Sequence, residues 1–210
     1  MDGVSRYCSV FNSDSSETVA YNNPLFPAYV VYGFLSSYPD YSSISHWHKD
    51  LEFILIKKGA MTYNVNGRLI ELEEDSGIIV NSRQLHYGFS MEHNECEFIC
   101  ILLSPELLSG NEWFYQNYIE PVTENSRYPY LRLSKEGWQH SVLEKIDGLY
   151  ASFYATQEPT HFTLMGEFLS IMRLLYENLD AKDYETIKPS NDLTSLKNMI
   201  TYIEEHFAKR

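Results

Sequence analysis

Residues 46–72 read HWHKDLEFILIKKGAMTYNVNGRLIEL, and the reading of this stretch decides the fold. Asn66-Gly67 lies between two alternating segments, MTYNV and RLIEL. A two-residue type I′ turn needs positive φ at both central positions, which Asn and Gly tolerate best, so the pair predicts a tight β-hairpin. Just upstream, Leu51–Ile56 is an apolar run of strand length.

Working outward, the same character continues on both sides. Ala28–Leu35 is rich in Tyr, Val and Phe, Asp75-Ser76-Gly77 is a turn signal, and strands are predicted at Ile78–Asn81, near Leu85–Phe89, at Glu97–Leu103 and at Tyr128–Leu133. Many short strands at close spacing indicate a sandwich or barrel. Residues 1–27 are polar and turn-rich, with Pro24 and Pro27 discouraging regular structure, and read as an N-terminal arm.

The period changes after Leu103. Ser104-Pro105-Glu106 is a helix start with Pro at the first helical position, and Asn111–Ile119 is a further short helix. Trp138, Val142, Ile146, Leu149 and Phe153 recur at spacings of three and four, one face of an amphipathic helix. A second helix from Thr160 to about Leu179 carries Phe162, Met165, Phe168, Leu169 and Met172, a stripe wide enough to predict a homodimer interface through residues 134–179. Residues 181–192, with Pro189, read as a linker, and Leu196–Phe207 is one more amphipathic helix.

Composition limits the partners. The 210 residues are 44% hydrophobic, enough to bury a sizeable core in one or two domains. Acidic residues outnumber basic ones 29 to 16, for a net charge of −13 without a basic stripe, so this stretch is not expected to grip DNA by itself. The first ten residues lack the pattern of a signal peptide, and the longest apolar run, Phe98–Leu103, suits a buried strand and not a membrane span. The cysteines are Cys8, Cys96 and Cys100, an odd count without zinc-type spacing, which with the missing leader favours a reducing cytoplasm.

The chemistry concentrates at His46, His48 and Glu52, with His86 following later. Residues two apart in a strand share a face, so the first three point one way, and a second strand can bring His86 to them. Three imidazoles and a carboxylate suit zinc, iron, manganese or nickel. They equally suit hydrogen bonding to a polyhydroxylated or anionic ligand. Trp47 alternates out of that face, and His93, His140, His161 and His206 have no inferred role.

The spacing H-x-H-x3-E-x6-G, His46, His48, Glu52 and Gly59 here, resembles the first motif of the cupin superfamily. The second motif departs from it: Asp75-Ser76 stands in place of a Gly-Asp turn, and Asn81-Ser82-Arg83-Gln84-Leu85-His86 in place of a Pro-x-Gly before the histidine. That form is similar to the sensor barrels of AraC-type transcriptional regulators, as are Ser45–Glu52, the Lys58–Gly67 hairpin arm and Ser104–Leu108. Leu196–Phe207 resembles the opening helix of that family's DNA-binding domain.

The resemblance implies a mainly β fold with α: a cupin double-stranded β-helix that receives a small effector, followed by a helical dimerisation segment. It divides the chain into an arm (1–27), an effector-binding barrel (28–133), dimerisation helices (134–180), a linker (181–192) and the first helix of a DNA-binding domain (193–210) that stops before most of its helix-turn-helix. His46, His48, Glu52 and His86 are then the effector pocket, for a sugar-like or anionic molecule, in preference to a metal centre. No cofactor and no enzymatic activity are expected; the alternative is a metal-dependent cupin oxygenase or isomerase. Promoter DNA is a partner only of the full-length protein. These 210 residues should accordingly give no specific complex with the regulator's promoter in an anisotropy titration at moderate salt. Tight sequence-selective binding would overturn that reading.

Overall fold

A computed structural model of the chain describes residues 10–125, 127–155 and 160–179. Seven strands form one curled sheet: β3 (Ala28–Phe34), β4 (Leu51–Val65), β5 (Arg68–Glu73), β6 (Gly77–Val80), β7 (His86–Phe89), β8 (Cys96–Leu103) and β9 (Tyr130–Leu133). The long strand β4 serves two neighbourhoods. Its first half pairs with β6 and β8, and its second half with β5 and β7, all antiparallel. The register shifts between Ile56 and Lys58, a bulge that lets one strand turn the corner. Gly59 follows at φ +79°, and a Cβ there would stand 2.4 Å from the Glu95 carbonyl oxygen. The predicted hairpin joins β4 to β5, with Asn66 at φ 52° and Gly67 at φ 84°.

Strand β8 explains the unbroken apolar run. Phe98, Cys100 and Leu102 face the barrel interior with Ile54, Ile56, Met61, Tyr63 and Val80. Ile99, Ile101 and Leu103 face the other way and join Phe53 and Leu55 under the helices. A strand covered on both faces has no reason to alternate.

Beyond β8, Ser104 caps a 3-10 turn at Pro105–Leu108 by accepting from the Glu106 amide. The predicted helix at Asn111–Ile119 is instead α1 (Glu112–Phe114), a π-type turn (Tyr115–Ile119) and α2 (Glu120–Thr123). Helices α3 (Gly137–Tyr154) and α4 (Thr160–Asn178) then pack on the outer face of the sheet. None of the described helices is long and apolar enough to cross a membrane.

Three expectations need correction. The arm is not irregular throughout: β1 (Val10–Phe11) and β2 (Glu17–Thr18) form a small hairpin. Its turn is held by Asn12 and Asp14 side chains on Ser16, and its backbone docks on Trp47. His46–His48 is not a regular strand; His46 and Trp47 make single bridges, to His86 and Ser16, and β4 begins only at Leu51. The wide stripe of α4 is not one free face. Phe168 and Met172 are buried in the chain's own core, Phe168 edge-on to Phe53 with centroids 6.4 Å apart, while Phe162 and Leu169 are exposed. Periodicity shows that a face is apolar, not what covers it. Cys8, the linker and the Leu196–Phe207 helix lie outside the described residues.

Truncating Phe168 to Ala should therefore cost about 3–5 kcal/mol through the cavity it leaves. Urea unfolding reads this directly, and a loss below 1 kcal/mol would contradict the packing.

Candidate functional site

The four residues singled out in the sequence come together. One ligand atom from each of His46, His48, Glu52 and His86 lies within 4.8 Å of the others, and all four residues are buried. The backbone explains how. His46 and His86 exchange both amide hydrogen bonds, at 3.1 and 2.8 Å, which sets their rings 4.4 Å apart. The Arg83 amide donates to the His48 carbonyl at 2.7 Å, tying the segment before β4 to the Asn81–Leu85 loop. Glu52, second residue of β4, pairs with Val80 and Leu102 in the middle of the sheet.

Each imidazole is anchored the same way. Nδ1 donates to a backbone carbonyl in all three: His46 to Ile44 at 2.7 Å, His48 to Asp50 at 3.1 Å, His86 to Gln84 at 2.8 Å. A carbonyl oxygen only accepts, so Nδ1 carries the proton and Nε2 keeps its lone pair. Those three Nε2 atoms are buried and have no hydrogen-bond partner among the described residues. Glu52 Oε2 lies 3.5 Å from His48 Nε2 and 3.4 Å from His86 Nε2, too long for good hydrogen bonds. Its other oxygen, Oε1, accepts from the Tyr63 hydroxyl.

The charges follow from burial and neighbours. Burial, reinforced by the neighbouring imidazole of His86, pulls His46 down to about 3, so it stays neutral. Burial also disfavours the charged form of His48, but the Glu52 carboxylate facing it outweighs burial and raises the imidazole's pKa. For Glu52 the facing imidazoles overcome desolvation and hold the carboxyl well below its ordinary range. Burial, then Glu52, pushes the Tyr63 phenol well up, so it remains a donor.

An ionised carboxylate thus faces imidazole lone pairs in a buried place. A proton on His48 relieves part of that repulsion; a divalent cation held by the four residues would relieve more. Nitrogen and carboxylate donors with their outer nitrogens fixed by carbonyls are the set that zinc, iron or manganese takes. The residues fit such an ion.

A cavity of about 440 Å³ opens against this cluster. His46 and Glu52 line it, whereas His48 and His86 do not. The rest of the wall is mainly apolar, including Leu35, Ile54, Met61, Phe98 and Cys100, with Ser42 and Ser43 on one side. Sequence reasoning missed three contributors. Glu17 comes from the arm hairpin and sets Oε2 3.2 Å from His46 Nε2 with its side chain fully buried. Phe11, from the same hairpin, lies edge-on to His46 and lines the cavity. Tyr63 reaches Glu52 from eleven residues away on β4. Trp47 points away, as expected, and its indole donates to the Asp14 carbonyl at 2.9 Å, clamping the hairpin in place. Tyr21 supports His48 from behind through Asp50, its hydroxyl 2.9 Å from Oδ1.

A curled antiparallel barrel with helices on its outer face and a buried ligand-sized cavity is a cupin-type binding domain. The AraC-like ligand binding domain family matches residues 28–135, half of the chain, and the chain belongs to that family. It is 29% identical over 172 residues to the uncharacterized HTH-type transcriptional regulator YdeC of Bacillus subtilis (strain 168), covering 79% of this chain and 56% of that protein. The chain thus spans about half the length of this curated relative. Among solved structures it is similar to ToxT from Vibrio cholerae, at 13% identity and TM-score 0.47, over 86% of this chain and 66% of that one. It is also similar to a Cupin 2 conserved barrel domain protein from Salinispora arenicola CNS-205, at 11% identity and TM-score 0.36, over 43% and 75%.

Proposed function

We propose that this chain is the effector-sensing and dimerisation portion of an AraC-type transcriptional regulator, non-enzymatic, with the effector held in the barrel cavity. The observation that carries the reading is the cavity itself, about 440 Å³ of mainly apolar wall ending on His46 and Glu52. The family membership supports it, and the relative's name as a transcriptional regulator adds the DNA-binding partner role to the full-length protein.

The wall narrows the effector. A sugar needs a partner for nearly every hydroxyl, because a buried unsatisfied group costs about 1–3 kcal/mol. Ile54, Met61 and Phe98 offer none. A small anionic head group with an apolar body fits better, its head against the His46–Glu52 end. Glu52 alone would repel an anion; a divalent ion held by His46, His48, Glu52 and His86 would supply the positive charge there.

Benzoate or octanoate, with zinc present, should raise the melting temperature, by about 2.7 kcal/mol of stability at a hundredfold excess over Kd, and glucose should not. Ile54→Phe, which pushes a bulkier side chain into the cavity, should weaken the shift. A shift from glucose alone, or one indifferent to Ile54→Phe, would reject the assignment. Recovery of the acid unaltered after incubation separates a sensor from a metal-dependent oxygenase or isomerase.

Dimerisation is assigned to the outer side of α4, where Phe162 is 81% exposed and Leu169, seven residues on, shares its face. Sedimentation at micromolar concentration should give a dimer that Phe162→Glu dissociates. A monomeric wild-type protein would remove this part of the proposal.

A further inference from the structure

Tyr63 belongs to both halves of the site. Its ring is part of the cavity wall, and its hydroxyl donates to Glu52 Oε1. The second carboxylate oxygen, Oε2, is the one that faces His48 and His86. We propose that Tyr63 is a positioning residue: by occupying Oε1 it fixes Glu52 with a single oxygen turned to His48 and His86, making this carboxylate a one-oxygen ligand for a divalent cation. The inference rests on the reading of His46, His48, Glu52 and His86 as a cation-binding set.

Three observations carry it. A free carboxylate offers a cation either one oxygen or both, and rotates between the two arrangements. The Tyr63 hydroxyl occupies one of the two oxygens, and Tyr63 and Glu52 are only 5% and 2% exposed, so the bond lies away from bulk solvent. The ring that carries the hydroxyl is itself held. It lies nearly parallel to the His86 imidazole, with an interplanar angle of 17° and centroids 6.2 Å apart. Across the ladder from Tyr63 stands Gly88, where a Cβ would meet Tyr63 Cε2 at 2.9 Å and Met61 Sδ at 3.0 Å. Only the absence of a side chain at Gly88 leaves the ring its place.

The consequence reaches the cavity. A ligand packed on the Tyr63 ring presses on the group that orients Glu52, so occupancy of the cavity and affinity for the cation are linked, and linked reciprocally.

Cobalt(II) is the probe, because its visible absorption reports coordination number and geometry as well as binding. The full chain is titrated with cobalt alone, in competition with a chelating dye. Tyr63→Phe keeps the ring and removes the hydroxyl. It should weaken cobalt binding 10- to 100-fold, the usual effect of losing a group that supports a metal ligand. The visible band should lose intensity as Glu52 offers both oxygens. Glu52→Gln should also weaken binding, and the double variant should be no weaker than Glu52→Gln alone, since the hydroxyl acts only through that carboxylate. Gly88→Ala, which displaces the ring, should reproduce the Tyr63→Phe spectrum and serves as the second reading should Tyr63→Phe fail to fold. Wild-type affinity and spectrum in Tyr63→Phe, or in Gly88→Ala where that is the variant read, would overturn the role of Tyr63 and leave the cation set standing. Additive losses in the double variant would do the same. No cobalt binding by the wild-type chain would overturn both.

Discussion

Glu52 and Tyr63 are eleven residues apart on a single strand, an odd separation that in an unbroken strand places two side chains on opposite faces. They meet inside the barrel because β4 bulges between Ile56 and Lys58. One inserted position changes the parity, so Glu52, Ile54 and Ile56 before the bulge and Met61, Tyr63 and Val65 after it all point inward. Gly59 makes the corner passable, since its backbone lies against the Glu95 carbonyl where no side chain fits. The same bulge falls near the change of partners along β4: β6 pairs before it, β5 and β7 beyond it, and β8 runs across it as far as Gly59. Closure of the sheet and assembly of the site therefore depend on one local irregularity.

The electrostatics of the cluster follow from that closure. A carboxylate 2% exposed is expensive unless it is paired and hydrogen-bonded. Tyr63 donates to one oxygen, and the other faces two imidazoles whose protons sit on the far nitrogen, committed to the carbonyls of Asp50 and Gln84. The backbone thus fixes the tautomer before any ligand arrives, and presents lone pairs where a different pattern would present donors. His46, held neutral by burial, has the same arrangement through Ile44 and adds Glu17 from the arm. The result is a preorganised set of acceptors, an arrangement that a cation or a hydrogen-bond donor would complement.

How much of this the sequence reveals depends on the range of the interaction. The Asn66-Gly67 turn is local chemistry and reads directly, as does the Ser104-Pro105 start. His46, His48, Glu52 and His86 are visible because their types are unusual and their spacing is short, even though His46 and Trp47 make single bridges and no regular strand. Tyr63 is hidden by the parity change, as one of 17 tyrosines without a distinguishing neighbour. Glu17 is hidden because a polar, turn-rich segment gives no sign that its hairpin docks on Trp47. The apolar wall is hidden because Ile54, Phe98 and Cys100 have the composition of core residues. A cavity and a filled core draw on the same side chains, and only the packed structure separates them.

That ambiguity extends to the helices, and there it links the site to the rest of the molecule. Along β4, Ile54 faces the cavity, while its neighbours Phe53 and Leu55 face α3 and α4, Phe53 against Phe168. Along β8, Cys100 faces the cavity and Ile99 and Ile101 face the helices. The wall of the cavity and the floor under the helices are thus alternate residues of the same two strands, one peptide apart. Close packing on both sides leaves little room to absorb a displacement. A ligand that shifts Ile54 or Cys100 moves strands whose other face packs on α3 and, through Phe53, on Phe168 of α4, and the outer side of α4 carries Phe162 and Leu169. The sheet places the cavity and the exposed helical face in mechanical series, with no loop between them.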